Sequence, residues 1–305
     1  MSPGETTHIS RHEDEIRENL AAWRSRPLLR RIYRAFQRRI ALHLAGGLTG
    51  RNVELGSGIG NIREVIPGCL RTDLFAYPWI DQVESAYSLS FADRSVDNLI
   101  LFDVFHHLRY PGTALAEFRR VLRPGGRVLI FEPCLSLLGL LVFGLLHHEP
   151  LGLGEEICFH APAGWTPAED SYHAAQGNAS RIFLGRRYRP LLDPDWKIVA
   201  RERLAAISYV ASGGYSGPRL YPERALPFMR VLDSLCDRAP FSLPPVSWWF
   251  WRKNPPPDSP PPASFPFSRN DVCIASEQSS WPGAESLAAP NRLPPSTFSL
   301  SPICN

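Results

Sequence analysis

Three glycines at alternate positions follow a short apolar segment near residue 50. Gly56, Gly58 and Gly60 come directly after residues 52–55, a predicted strand with an acid, Glu54, close to its end. Glycine lets the backbone turn tightly and approach a ligand without a side chain in the way. In open α/β sheets, ligands bind in the crevice outside the carboxyl ends of the strands. The spacing therefore predicts a ligand-binding turn with a carboxylate beside it.

The spacing of the glycines also discriminates between kinds of ligand. A dinucleotide-binding turn needs its third glycine at position 61, where this chain has Asn61. A second acid, Asp73, stands 19 residues after Glu54, at the end of the next predicted strand. A carboxylate there suits a neutral diol such as a ribose and would repel a phosphate, although an acid in this place can also cap the following turn. The pattern disfavours a nucleotide-dependent oxidoreductase.

Further motifs follow in order along the chain. Glu84-Ser85-Ala86 precedes Leu89-Ser90-Phe91, and the fourth predicted strand runs into Asp103-Val104-Phe105-His106-His107. The next predicted helix ends in Arg120-Val121-Leu122-Arg123-Pro124-Gly125-Gly126. Together with the glycine turn, these segments resemble the class I S-adenosylmethionine-dependent methyltransferases, and in particular the methyltransferase type 11 family. The order of several motifs is far more specific than any one of them.

The resemblance implies a fold, a cofactor and a set of residue roles. The fold is Rossmann-like α/β, with a mostly parallel seven-stranded sheet, helices on both faces, an N-terminal helical lid and an insertion after the fifth strand. The cofactor is S-adenosyl-L-methionine. Glu54 would help to hold its methionine ammonium group, Asp73 its ribose, and the segment from Asp103 would border its methionine part. The other cofactor-binding positions are Gly56, Gly58, Gly60, Ser85 and Ala86.

The chain departs from the family pattern beside the expected adenine. Ser85 occupies the position of the usual acid, and Ser90 that of the usual proline. Glu84 or a backbone carbonyl is therefore an alternative partner for the adenine amine.

Methyl transfer from a sulfonium is an in-line displacement, in which a protein mainly supplies alignment and exclusion of water. A hydroxyl or ammonium acceptor also needs a base, for which histidine is suited near neutral pH. His107 is the first candidate, because the carboxyl end of the fourth strand faces the cofactor in this fold, and a packing role is the alternative. Further candidates are His106, His147, His148 and Glu149. No third ligand accompanies His147 and His148, so no metal site is predicted.

Hydrophobic periodicity and breaks in composition divide the chain into three parts. Residues 1–50 are predicted to form a helical cap, 51–253 the methyltransferase domain, and 254–305 a disordered tail rich in Pro and Ser. Residues 134–194 form an insertion on the substrate side. Its apolar run 134–146 is shorter than the roughly 20 residues that span a bilayer, which favours a buried or interfacial helix. Strands are also predicted at 196–204 and 246–251, with a helix at 223–238 between them, and further helices at 61–66 and 112–122. The glycine loop 213–217 is predicted to close over a substrate, although ordinary surface loops have a similar composition. Polar candidates for acceptor contacts in the insertion are Glu169, Asp170, Tyr172, Gln176 and Arg181.

Charge and cysteine content narrow the partners and the compartment. The net charge is +3, and no cysteines are paired as CxxC, so a reducing cytoplasmic setting is expected. Nearly balanced charge disfavours nucleic acid as the acceptor. A small-molecule, glycan or lipid-linked acceptor is favoured. Arginines on the N-terminal helices either contact an anionic membrane surface or form a solvated face. A non-catalytic binding or scaffold protein with the same fold is the alternative function.

Overall fold

The computed structural model describes residues 3–133, 156–169, 173, 175, 177–192, 195–237 and 246–253, with the backbone alone for 3–12 and 246–253. The described residues belong to one compact unit. The predicted helix in 134–146, the candidates His147, His148 and Glu149, and the predicted disordered tail 254–305 lie outside the described residues.

Among the described residues, seven strands form one sheet in the order β3-β2-β1-β4-β5-β7-β6. Their bounds are β1 Asn52–Leu55, β2 Leu70–Asp73, β3 Gln82–Val83, β4 Val96–Phe102, β5 Leu122–Pro133, β6 Trp196–Leu204 and β7 Val246–Lys253. The first five strands are parallel, and β7 lies antiparallel between β5 and β6. The predicted mostly parallel α/β sheet is confirmed. All carboxyl ends of the parallel strands meet at one edge.

Helices pack against both faces of this sheet. They are α1 Pro3–Ser25, α2 Pro27–Leu42, α3 Pro111–Val121, α4 Asn178–Leu184, α5 Arg189–Leu192, α6 Ile207–Ala211 and α7 Leu226–Asp237. Leu99 and Leu101 of β4 join a core with Phe118 of α3, while Ile100 between them joins a separate core with Ile32 of α2. Successive strand residues point to opposite faces of the sheet. Because both faces are covered, the parallel strands consist of nearly continuous apolar residues.

One predicted helix takes a different form. Residues 61–66 were predicted as a helix, but the structure has a single 3₁₀ turn, Asn61–Glu64. Gly60 enters it in the left-handed conformation (φ 67°), and Pro67 follows shortly after. The space between these two breaks holds little more than one helical turn, and proline disfavours helical geometry in the residue before it.

Membrane-spanning helices have a characteristic length and apolar content. Within the described part of the chain, no helix combines the length and the apolar content needed to cross a bilayer.

Candidate functional site

The turn after β1 is built from glycines in backbone conformations that other residues rarely adopt. Gly56, Gly58 and Gly60 have φ values of 67°, 50° and 67°. A Cβ atom on Gly56 would lie 2.6 Å from Cγ2 of Val104, and one on Gly60 would lie 2.9 Å from Cδ1 of Trp79. The sequence therefore needs glycine at Gly56 and Gly60 for two separate reasons, the positive φ and the close approach of neighbouring side chains.

Asp73 ties the end of β2 to the glycine turn. Its Oδ2 accepts a hydrogen bond of 2.9 Å from the backbone N–H of Gly58, and its Oδ1 accepts one of 3.1 Å from Phe75. The second bond is the turn cap that the sequence left open as an alternative. The structure thus brings Asp73 and the glycines together, at the edge where the parallel strands end.

Glu54 is a buried carboxylate directly beneath this turn. Its side chain is buried, and Oε2 has no hydrogen-bond partner among the described residues. Burial raises the pKa of Glu54 to about 8, and the negative charge of nearby Asp73 adds to this rise. Ser57 and Arg71 lower the pKa but do not offset the effect of burial. An ionised carboxyl group with an unpartnered oxygen is costly in the interior, so the folded chain holds its proton tightly. Glu54 fits a ligand that brings a positive charge to this position.

In the segment after β3, the polar side chains form hydrogen bonds within the segment. Both carboxylate oxygens of Glu84 accept hydrogen bonds from Ser90, and Oε1 also accepts one of 2.6 Å from Gln82. The Oγ of Ser85 accepts a bond of 3.3 Å from the backbone of Tyr87. Ala86 is half-buried against the core. Glu84 therefore stabilises this loop, which weakens it as an alternative adenine partner.

The turn after β4 is held by an acid that sequence reasoning did not select. Asp103 has a positive φ of 56°. Oε1 of Glu132, at the end of β5, accepts hydrogen bonds from the backbone N–H groups of Val104 (2.9 Å) and Phe105 (2.5 Å). Its Oε2 lies 2.6 Å from Nδ1 of His106, and both side chains are buried. Glu132 thereby fixes the backbone next to Asp103. An acid at the end of an otherwise apolar strand was the available signal.

His107 lies on the same turn but has a different environment from His106. It is half-buried, and its Nδ1 donates a hydrogen bond of 2.8 Å to the backbone carbonyl of His173. Because a carbonyl only accepts, Nδ1 of His107 carries a proton. This bond orients the ring relative to the strand end. His107 thus sits in the predicted region, with its tautomer set by a segment of the insertion.

A cluster of three tyrosines covers this edge of the sheet, and the sequence did not predict it. Tyr33 comes from α2, Tyr209 from α6 and Tyr215 from the glycine loop that follows. The hydroxyls of Tyr33 and Tyr209 are 3.4 Å apart, and the ring centroids of Tyr33 and Tyr215 are 5.2 Å apart. Burial raises the pKa of Tyr33 and Tyr215, and raises that of Tyr209 to about 12, with Asp103 contributing to all three. Asp103 is therefore close to the cluster.

The N-terminal helices reach the same edge. Ile16 of α1 would contact a Cβ atom on Gly58 at 3.7 Å, and Trp23 donates to Glu64 just after the glycine turn. Arg26 donates two hydrogen bonds of 2.9 Å to the carbonyls of Gly214 and Gly217. The loop 213–217, predicted from its glycines to close over a substrate, is thus tied to the junction of α1 and α2.

Several polar residues of the insertion were also candidates for acceptor contacts. Glu169 bonds to Thr166, and Arg181 bonds to Asn178, within their own local segments. Asp170, Tyr172 and Gln176 lie outside the described residues. No group of three or more His, Cys, Asp or Glu residues suited to a metal ion occurs in the described ranges.

Comparison with known proteins found one matching family model and several similar solved structures. A family model described as a methyltransferase domain matches residues 69–130. A search of curated proteins found no match. Similar solved structures include an S-adenosylmethionine-dependent methyltransferase from Archaeoglobus fulgidus (14% identity, 74% of this chain and 94% of that chain, TM-score 0.43). A second is the 1,6-didemethyltoxoflavin-N1-methyltransferase of Burkholderia thailandensis (14% identity, 84% and 92%, TM-score 0.39).

The matched methyltransferase-domain residues and the glycine turn lie in neighbouring parts of the chain. The matched residues run from the start of β2 to β5, and the turn with Glu54 and Gly56 immediately precedes them. Residues 69–130 of this chain are thus similar to a methyltransferase domain.

Proposed function

We propose that this chain binds S-adenosylmethionine across the glycine turn and transfers its methyl group to a small-molecule acceptor held beneath the N-terminal helices. The observation that carries the proposal is the buried, unpartnered Oε2 of Glu54 beside a turn of left-handed glycines. The methionine ammonium group would be the positively charged partner for this oxygen. Residues 1–50 would act as the cap and 51–253 as the catalytic domain.

Each candidate residue has a role consistent with its contacts. Asp73 would hold the ribose hydroxyls while it keeps Gly58 in place through its 2.9 Å bond. The backbone of Ser85 and Ala86 would lie beside the adenine, since the side chain of Glu84 is already engaged. Asp103 would border the methionine part, with its backbone position fixed by Glu132 through the neighbouring residues.

The cofactor supplies a methyl group that is already activated as a sulfonium, so alignment and exclusion of water are the main tasks of the protein. The cluster Tyr33, Tyr209 and Tyr215 would form the roof of the acceptor site. Their raised pKa values keep these hydroxyls protonated near neutral pH, so they would donate hydrogen bonds and would not act as bases. His107 remains the proposed base for an O- or N-nucleophile.

The acceptor itself is proposed by class. An aromatic roof with three hydroxyls would suit a small molecule with both flat apolar and polar parts. A glycan or a lipid-linked acceptor would reach the same place from the side of the insertion 134–194. A hydroxyl or an amine are both compatible with His107 as the base.

Calorimetric titration of the full chain with S-adenosylmethionine and S-adenosylhomocysteine tests the cofactor site. Asp73→Ala and Gly58→Arg should each abolish saturable binding, because one removes the proposed ribose partner and the other fills the turn. Asp93→Ala is the matched control, since Asp93 is an exposed acid paired with Arg120 away from the turn. Absence of binding to the folded wild-type chain would favour the non-catalytic scaffold. Binding that survives in both variants would place the cofactor elsewhere.

A further inference from the structure

A groove runs beside the edge strand β6, away from the glycine turn that follows β1. It has a volume of about 470 Å³ and lies between α4, α5 and β6. Four strand spacings separate β6 from β1 in the sheet order, which is roughly 19 Å. The groove is therefore separate from the proposed cofactor site.

The floor of the groove is apolar and buried. It is formed by Ile182 and Phe183 from α4, Leu192 from α5 and Trp196 from β6. Its volume is within the range of roughly 300–1,000 Å³ that small-molecule sites occupy. Such a floor favours a ligand part that is an aliphatic chain or a ring.

The rim of the groove is positively charged. Arg186, Arg189, Lys197 and Arg201 line it, and no acid is among its described lining residues. Arg186, Lys197 and Arg201 are exposed and make no ion pair with any residue that the structure describes. Lys197 is one of only two lysines in the chain.

Three acids that the structure describes near these cations are engaged with other partners. Asp195 pairs with Arg119, Glu202 with His43 at 3.0 Å, and Glu156 with Arg187 at 3.8 Å. These pairs leave the rim without a described negative charge. Several cations around one depression repel each other and attract an anion, and apolar walls strengthen that attraction.

We propose that this groove binds a single amphiphilic anion, with a phosphate, sulfate or carboxylate head at the rim and an apolar stem on the floor. Arginine and lysine side chains bind such heads through charge-assisted hydrogen bonds. The stem would cover Phe183 and Trp196. This site does not depend on the proposed methyl transfer.

Titration calorimetry of the full chain with decyl phosphate, below its micelle concentration, tests the groove. The comparison ligands are inorganic phosphate, which lacks the stem, and decyltrimethylammonium, which has the opposite charge. Saturable binding of decyl phosphate well above that of either comparison ligand is expected. The double variant K197E/R201E should weaken it by about 10-fold or more, because two attractive charges become repulsive.

The matched control is R219E/R224E, which makes the same charge change at two exposed arginines outside the groove lining. It should keep the wild-type affinity for decyl phosphate. Equal affinity in K197E/R201E, or equal binding of decyltrimethylammonium, would overturn the proposal. Binding to anionic vesicles without binding of decyl phosphate would also overturn it, in favour of a membrane surface. S-adenosylmethionine is titrated in parallel into K197E/R201E. Unchanged binding of S-adenosylmethionine shows that the variant alters the groove and leaves the cofactor site intact.

Discussion

Replacing Glu54 by Gln tests whether the buried carboxylate is kept for a ligand at the expense of stability. The folded chain raises the pKa of Glu54 from 4.5 to about 8. A carboxyl group with a raised pKa holds its proton more tightly in the folded than in the unfolded state. Stability is therefore greatest at low pH and is lost as the pH rises from the unfolded pKa to the folded one. Glu54→Gln, which cannot ionise, should lack this loss.

The size of the effect follows from the two pKa values. Between about pH 5.5 and pH 8.5 the cofactor-free wild-type chain should lose about 3 kcal/mol more unfolding free energy than Glu54→Gln. Urea unfolding of both proteins at the two pH values measures this difference. The affinity for S-adenosylmethionine should meanwhile fall by roughly 10- to 100-fold in the variant, because the ammonium loses a charged partner.

Two results would refute this reasoning in separate ways. Equal pH dependence of unfolding in the wild type and Glu54→Gln would show that Glu54 does not titrate in this range. A variant that is stabilised at high pH but binds the cofactor normally would show that another group holds the ammonium.

Three further predictions concern the same edge of the sheet. Gly56→Ala should lower the unfolding free energy by about 1–3 kcal/mol more than Gly125→Ala does. Both glycines have positive φ, but only a Cβ atom at Gly56 would meet a side chain. Equal losses would show that the close approach at Gly56 is not the reason for glycine there. Glu132→Gln should lower the unfolding free energy by about 3 kcal/mol and weaken cofactor binding, whereas unchanged urea unfolding would contradict its anchoring role. His107→Gln should lower kcat about 10²-fold or more and remove the acidic limb of the pH–rate profile with a nucleophilic acceptor, and an unaltered profile would leave His107 with a packing role.

Local signals in the sequence were sufficient for most of the parallel part of the sheet. β1 and β6 begin and end at the predicted residues, and α3 is displaced by only one residue from its predicted bounds. These segments combine a clear hydrophobic period with a glycine or proline at their ends, so the local backbone preference agrees with the fold. The turn at Asn61 was predicted poorly, because its periodicity was helical whereas Gly60 and Pro67 left too little room.

The glycine turn after β1 follows from residues that are close together in the sequence. Glycines at alternate positions after an apolar strand, with Asp73 at the end of the next, specify that turn through conformational rules that act over a few residues. Tertiary structure alone decided the pKa of Glu54, the anchoring of the β4 turn by Glu132, and the meeting of Tyr33 with Tyr209, 176 residues apart. Burial and long-range contacts depend on which faces pack together, and a local pattern does not contain that information.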